Sequence, residues 1–320
     1  MAKLSTLVPI PDYPFQIAHQ QQVLSMGSCF AEHMGGYLEQ RKFRHLLNPF
    51  GIVYHPLVMA RLLQQLLDDQ APNPDDLFKQ QGLWRHYDFH SRYAHPDANK
   101  AAEIVARQHL AGAEAIHQLE VLVLTFGTAF GYRLKESGLW VNNCHKQAAN
   151  LFNKQLAGVS EMTDALAPLL LTLKQRNPQL QVIMTVSPVR HLRDGLLENQ
   201  RSKARLLLTQ EVLSAELDFV HYFPAYEILL DELRDYRYYA DDLLHPSALA
   251  IEIISERFST AFMSDETRAL SARIFSIVQA LQHRPLHPES EAFKQFQEQT
   301  QQKLRQLKAE YSFLDLEKFS

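Results

Sequence analysis

The sequence predicts an α/β protein: a three-layer α/β/α sandwich on a parallel sheet of about five strands, with helices added at the C-terminal end. Three observations predict it. Five short β-like runs, at 22–26, 43–47, 120–126, 180–187 and 218–222, alternate with helix-period segments at 29–42, 56–69, 98–118, 159–176 and 197–216. Two of the runs, "EVLVLTF" and "LQVIMTVS", are continuously apolar, as strands buried on both faces read. From 247 to 320 the pattern is helical only. Strands alternating with helices give a parallel sheet covered on both sides, and right-handed crossovers make it doubly wound.

Each run ends on a chain-breaking signal. The first, in "QVLSMGSCFAEHMGGYL", stops at Gly27, and helical spacing begins at Cys29. The second ends at Asn48-Pro49, the third at Gly127, the fourth at Pro188 and the weaker fifth at Phe223-Pro224. Two stretches interrupt the alternation. "QGLWRHYDFHSRYAHPD", 81–97, is aromatic and histidine-rich without a period, and reads as a long ordered loop. "GYRLKESGLWVNN", 131–143, reads as a hairpin turning near Glu136-Ser137-Gly138, on the rim above the third strand. The last helix, 289–310, is polar with a narrow apolar face. That face packs across the body or, alternatively, forms a homodimer contact.

Composition narrows the function. With 46% hydrophobic and 21% charged residues, the 320-residue chain buries an ordinary core. A formal net charge of -4 leaves no basic footprint for nucleic acid. No apolar run approaches membrane-spanning length, the N-terminus lacks a signal-peptide core, and two cysteines make no disulfide framework. A cytoplasmic protein is expected, with no membrane or nucleic-acid partner and no cofactor. His86, His90 and His95, with His145, invite a metal reading. Their spacing fits no tight zinc pattern, so a structural or substrate-facing role is expected and no metal.

Ligands bind outside the carboxyl ends of parallel strands, so those ends are where chemistry is sought. The first delivers Gly27-Ser28-Cys29, the second Asn48-Pro49-Phe50-Gly51, and the third Gly127-Thr128, with Asn143-Cys144-His145 following the hairpin. The fourth delivers Arg190 and His191, and beyond the fifth lies "ADDLLHPS" with Asp242 and His245. A nucleophilic serine needs a base within reach and a carboxylate to orient it, and Asp242 and His245 supply both, three residues apart. Pro246 pushes His245 toward extended geometry at the mouth of a helix. Spacing favours Asp242 over its neighbour Asp241.

Ser28 at a helix N-terminus suits developing negative charge. Its own N–H and that of Gly51 are candidate oxyanion donors, with Thr128 or Asn143 as a side-chain third. Ser28 as a plain helix N-cap remains open. Cys29 is a rival nucleophile, although a small buried hydrophobe is the favoured reading. Arg190 and His191 read as substrate contacts or as partners of Asp194 or Glu198.

The strings "GSCFAEHMGGYL", "NPFGIVYHP", "WRHYDFHSRYAHPD", "FGTAFGYR", "NNCHK", "TVSPVRHLRDGLLENQRSKA" and "YFPAYEILLDELRDYRYYADDLLHPS" resemble the GSCFA-domain family, within the SGNH (GDSL-like) hydrolase superfamily. The resemblance runs from about Leu7 to the C-terminus. It implies a flavodoxin-like three-layer fold, a nucleophile at Ser28, and an Asp-x-x-His pair at Asp242 and His245. Gly51 matches the glycine after the second strand. Two departures stand out: Gly27 occupies the place of the superfamily's acid, and Gly127-Thr128-Ala129 lacks its asparagine.

The expected division is a catalytic domain, 1–266, and a C-terminal helical extension, 267–320. The expected function is a serine-dependent esterase, an O-deacylase or acetyl esterase acting on a carbohydrate or small-molecule ester. The alternatives are an O-acyltransferase using the same site and a non-catalytic binding protein that keeps the fold.

Overall fold

The computed structural model describes residues 6–314. In chain order the elements are β1 (Val23–Gly27), α1 (Cys29–Gln40), β2 (His45–Leu47), α2 (Pro56–Leu67), β3 (Phe78–Gln80), β4 (Leu83–Arg85) and α3 (Ala98–His117). Next come β5 (Val121–Phe126), β6 (Phe130–Leu134), β7 (Trp140–Val141), β8 (Phe152–Leu156), α4 (Val159–Arg176) and β9 (Gln181–Val186). The chain continues through α5 (Leu196–Glu216), β10 (Val220–Tyr222), a single turn α6 (Ala225–Glu227), α7 (Ala248–Phe262), α8 (Asp265–Gln282) and α9 (Glu291–Glu310).

Five strands form one parallel sheet in the order β10-β9-β5-β1-β2. Numbered among themselves along the chain, they run 2-1-3-4-5, the flavodoxin-like order, and the order reverses between β1 and β5. All five correspond to the expected runs. The apolar runs are legible because both faces are covered: every residue of β5 is buried.

Alternate residues of the strands feed two cores. Leu24, Met26, Leu122, Leu124, Val182 and Met184 meet α2, α4 and α5. Val23, Val121, Val123 and Ile183 meet α1 and α7 through Phe30, Met34, Ile254 and Phe258. Local chemistry starts the helices: Pro56 opens α2, Asp97 caps α3 by accepting from the Lys100 N–H, and Ser247 caps α7 by accepting from the Ala250 N–H. The apolar stripe of α9, Leu304 and Leu307, is used within the chain, against Leu270, Ile274 and Ile277 of α8.

Two regions differ from expectation. The hairpin exists as β6–β7, but β8 adds to its other edge, making a three-stranded sheet. β8 reads "FNKQL" with three consecutive exposed polar residues, so no hydrophobic alternation announces it. The stretch 81–97 is not purely a loop, because β4 pairs with β3 and Trp84 bridges His95. Ladders of three residues are too short to show a period.

Candidate functional site

β1 ends where the strand order reverses, and Ser28 follows it as the residue that enters α1. Its backbone is extended, φ -68° and ψ 179°, as an N-cap residue requires. Yet its hydroxyl makes no capping bond. Ser28 is wholly buried, and its Oγ has no hydrogen-bond partner among the described residues. Ser28 therefore has the N-cap position without the N-cap bond, and a buried hydroxyl left unpaired costs about 1–3 kcal/mol.

Gly27 answers for the missing acid. A Cβ there would stand 2.5 Å from Thr125 Cβ, 2.7 Å from the Thr125 carbonyl oxygen and 2.9 Å from Ala31 Cβ. No side chain fits between β5 and α1 at this point. Gly27→Ala is expected to cost about 1–3 kcal/mol, as overpacking does, and to lower the denaturant midpoint at unchanged m-value. A midpoint equal to wild type would show that the neighbours yield.

Asp242 and His245 come together as expected. His245 Nδ1 lies 2.6 Å from Asp242 Oδ2, while Asp242 Oδ1 accepts from the Leu244 and His245 backbone N–H groups at 2.9 Å each. Bonds from the His245 backbone and ring, then from Leu244, pull the Asp242 carboxyl down to about 2. The loop is tightly determined: Leu243 holds φ 58°, the Ala240 N–H donates to His245 O at 2.8 Å, and Tyr239 bridges Pro246. Left-handed geometry costs a side chain such as leucine about 1–3 kcal/mol and persists only where the surroundings impose it. The His245 ring is partly exposed, and it stands within electrostatic reach of His33 on α1 and His191 beyond β9. It thus overlooks the N-terminal end of α1, but it makes no hydrogen bond to Ser28. Asp241 takes no part in the pair.

The expected oxyanion donors are all engaged. The Ser28 N–H donates to Thr125 O at 3.3 Å, and the Gly51 N–H donates to Asn48 O at 2.7 Å. Gly51 is glycine for two reasons, φ 78° and a His90 Cβ that would lie 2.3 Å from any Cβ added there. Thr128 Oγ1 accepts from the Phe130 N–H at 3.0 Å and bonds Ser202 Oγ at 3.0 Å. Asn143 donates to Ser91 Oγ at 3.4 Å and accepts from the His145 N–H at 2.8 Å.

Lys203 is the residue that sequence reasoning missed. It comes from α5 and is wholly buried. Its Nζ donates to Gly127 O and Ser187 O, both at 2.6 Å, which ties together the ends of β5 and β9. Burial pushes the ammonium down to about 7. A signal was present: Asn199, Lys203, Leu206, Gln210 and Leu213 share one buried stripe of α5 at helical spacing.

A cleft of about 790 Å³ opens beside this point. Thr128, His191 and Leu244 line it, the first and last being chain neighbours of Gly127 and His245, whereas Ser28, Asp242 and His245 are not among its lining residues. Tyr54 lines it too, packing on Gly127 beside Ser28 and meeting the His191 ring edge-on at 5.4 Å. Arg190 and His191 part company. His191 lines the cleft, and burial holds its ring down to about 4. Arg190 acts electrostatically on Tyr226 and Tyr239 instead. Neither forms the salt bridge considered for them, because Asp194 pairs with Lys154 and Glu198 with Arg201.

Cys29 is half-buried against the α1–α7 core, and burial raises its thiol above the ordinary value, which keeps it protonated at neutral pH. The histidines of 86–95 fold their loop: His86, His90 and His95 accept from the N–H groups of Asp88, Arg92 and Asp97. His145 bonds His86 O at 2.8 Å. Among the described residues no group of three or more His, Cys, Asp or Glu is arranged to hold a metal ion.

Elsewhere among the described residues Ser91 Oγ meets His145 Nδ1 at 3.3 Å, Ser271 Oγ meets His19 Nε2 at 3.4 Å, and Ser25 Oγ meets His45 Nε2 at 2.8 Å, with Glu39 4.0 Å from that last ring's Nδ1. Ser25 lies inside β1 rather than at its end, and burial pushes the His45 ring down to about 4, so this is a neutral hydrogen bond within the core.

The model of the GSCFA family matches residues 22–258, and that of the GSCFA domain protein C-terminal domain matches residues 274–318. No curated protein is a significant match. Among solved structures, one provisionally described as a platelet activating factor from Streptococcus pneumonia is 12% identical, with a TM-score of 0.37 over 75% of this chain and 83% of that one. At that level the likeness carries no argument. No helix among the described residues is long and apolar enough to cross a membrane.

Proposed function

The chain belongs to the GSCFA family, and on that premise we propose a serine-dependent ester hydrolase of the SGNH (GDSL-like) type. It removes an acyl or acetyl group from a carbohydrate or other small alcohol held in the cleft beside Tyr54. One observation carries the reading. An Asp242–His245 couple lies within electrostatic reach of His33 on α1 and of His191 beyond β9, and Ser28, at the switch point of the sheet, occupies an N-cap position while leaving its hydroxyl free of any capping bond.

In this reading His245 Nε2 takes the proton from Ser28 Oγ as the oxygen attacks the acyl carbonyl. Asp242 fixes the proton on Nδ1 and steadies the imidazolium. His245 then gives its proton to the leaving alcohol, and water releases the acyl group by the same steps. Substrate binding brings Ser28 Oγ and His245 Nε2 together, a contact that unliganded sites often leave long. The two unpaired cysteines, Cys29 and Cys144, suit a reducing cytoplasm.

A second reading, a binding module that keeps the fold, is favoured by the complete burial of Ser28. Labelling by a fluorophosphonate probe separates the two. Hydrolase chemistry predicts labelling that is retained in Cys29→Ala and abolished in Ser28→Ala. A wild-type protein that neither labels nor cleaves short p-nitrophenyl esters is a binding module. If sugar acceptors in the assay collect the acyl group, the same site is an O-acyltransferase.

A further inference from the structure

We infer that the side-chain amide of Asn48 is the oxyanion donor that serves Ser28. This rests on the hydrolase reading above and adds a residue to it. Asn48 follows β2, is wholly buried and holds φ 46°, a left-handed geometry that asparagine tolerates better than most residues. Its carboxamide is oriented without ambiguity. The Gly27 N–H donates to Oδ1 at 2.8 Å, so the atom facing Gly27 must be the oxygen. The other end is therefore the NH₂ group, and Nδ2 has no partner among the described residues.

Every other polar atom of Asn48 is engaged. Its N–H donates to Ser25 O at 2.8 Å, and its carbonyl oxygen accepts from the Gly51 N–H at 2.7 Å and from Arg92 at 3.4 Å. The amide is held rigidly on the peptide group next to Ser28, whose own Oγ is also unpaired. A buried amide donor left unbonded costs about 1–3 kcal/mol, and such groups call for an explanation. Elimination points the same way, because Ser28 N, Gly51 N, Thr128 Oγ1 and Asn143 Nδ2 are already bonded within the protein. Asn48 supplies, from the neighbouring strand, the amide that Gly127-Thr128 lacks.

In the reaction Ser28 Oγ forms a bond to the acyl carbon while its proton passes to His245 Nε2. The carbonyl π pair moves onto oxygen, and Asn48 Nδ2–H donates to that oxyanion. On collapse the pair re-forms the carbonyl, the C–O bond to the alcohol breaks, and His245 protonates the departing oxygen. A fixed donor met only in the transition state raises kcat rather than lowering KM.

Asn48→Asp tests this sharply, since it keeps an acceptor for the Gly27 N–H and tolerates the left-handed backbone while removing the donor. The expected result is a drop in kcat of about 100- to 1000-fold with KM little changed, and a comparably slower reaction with fluorophosphonate. Asn48→Gly, which also suits φ 46°, guards against a folding defect of the first variant and should show the same kcat loss. If either variant melts like wild type and turns over ester within about threefold of it, or loses activity through KM alone, the role of Asn48 is overturned and the hydrolase reading stands. If wild type reacts with neither ester nor probe, the hydrolase reading falls and this inference with it.

Discussion

Asp242→Asn is expected to lower kcat on a short ester by up to about 10⁴-fold while leaving thermal stability unchanged. The reason lies in which atoms the substitution alters. Asn keeps an Oδ1 for the Leu244 and His245 N–H groups that close the turn. It replaces the oxygen that stands 2.6 Å from His245 Nδ1. An NH₂ in that place donates to Nδ1, so the ring proton moves to Nε2 and the base cannot accept from Ser28. The Asp242–His245 pair is almost half exposed, so its loss removes little folding energy. Asp241→Asn serves as the control and should behave as wild type. An Asp242→Asn enzyme with undiminished kcat would show that His245 is not oriented by Asp242, and the triad would then lose its middle link.

This couple was legible in the sequence because its spacing is local: two side chains three residues apart before a proline can be read without knowing the fold. The five central strands were legible for a different reason, since burial on both faces writes a continuous apolar run such as "VLVLTF". β3 and β8 were not, because short strands over a partly solvated surface carry residues such as Lys79 and Lys154 that a loop carries equally well. Which candidate donors the folded chain engages was not legible either. The Ser28 N–H is claimed by Thr125 O of the neighbouring strand, while the Gly51 N–H is claimed by Asn48 O within its own turn, and the residue types alone show neither bond. Asn48 was among the residues delivered at a strand end, yet nothing local says that its oxygen is claimed by Gly27 and its nitrogen by nothing. Lys203 was hidden by a prior: lysines are rarely wholly buried, so its place on the inward stripe of α5 reads at first as a break in that stripe.

Lys203 carries the second large expectation, which concerns pH. Its ammonium lies near 7 in the folded protein against an ordinary value near 10.5. Between those values the unfolded chain binds a proton that the folded chain has given up. The buried charge therefore weakens the fold in full below about pH 7, and the penalty is relieved as pH rises toward 10.5. Lys203 should make wild-type stability climb with pH across this window, by at most about 1.4 kcal/mol per pH unit. Lys203→Met removes the titrating group, so the wild-type-minus-variant difference in denaturation free energy should grow between pH 7 and pH 10, while other titrating groups cancel. Parallel curves for the two proteins would mean that Lys203 stays charged throughout.

At neutral pH the variant should still be the less stable protein. Methionine leaves the carbonyl oxygens of Gly127 and Ser187 buried without their 2.6 Å donor, at about 1–3 kcal/mol each. Those two carbonyls end the strands that carry Thr128 and His191 into the cleft. Among the described residues the Lys203 ammonium bonds those two carbonyls and no carboxylate. Its hydrogen bonds to the two carbonyls, and not its charge, are what Lys203 contributes to the stability of the fold at neutral pH.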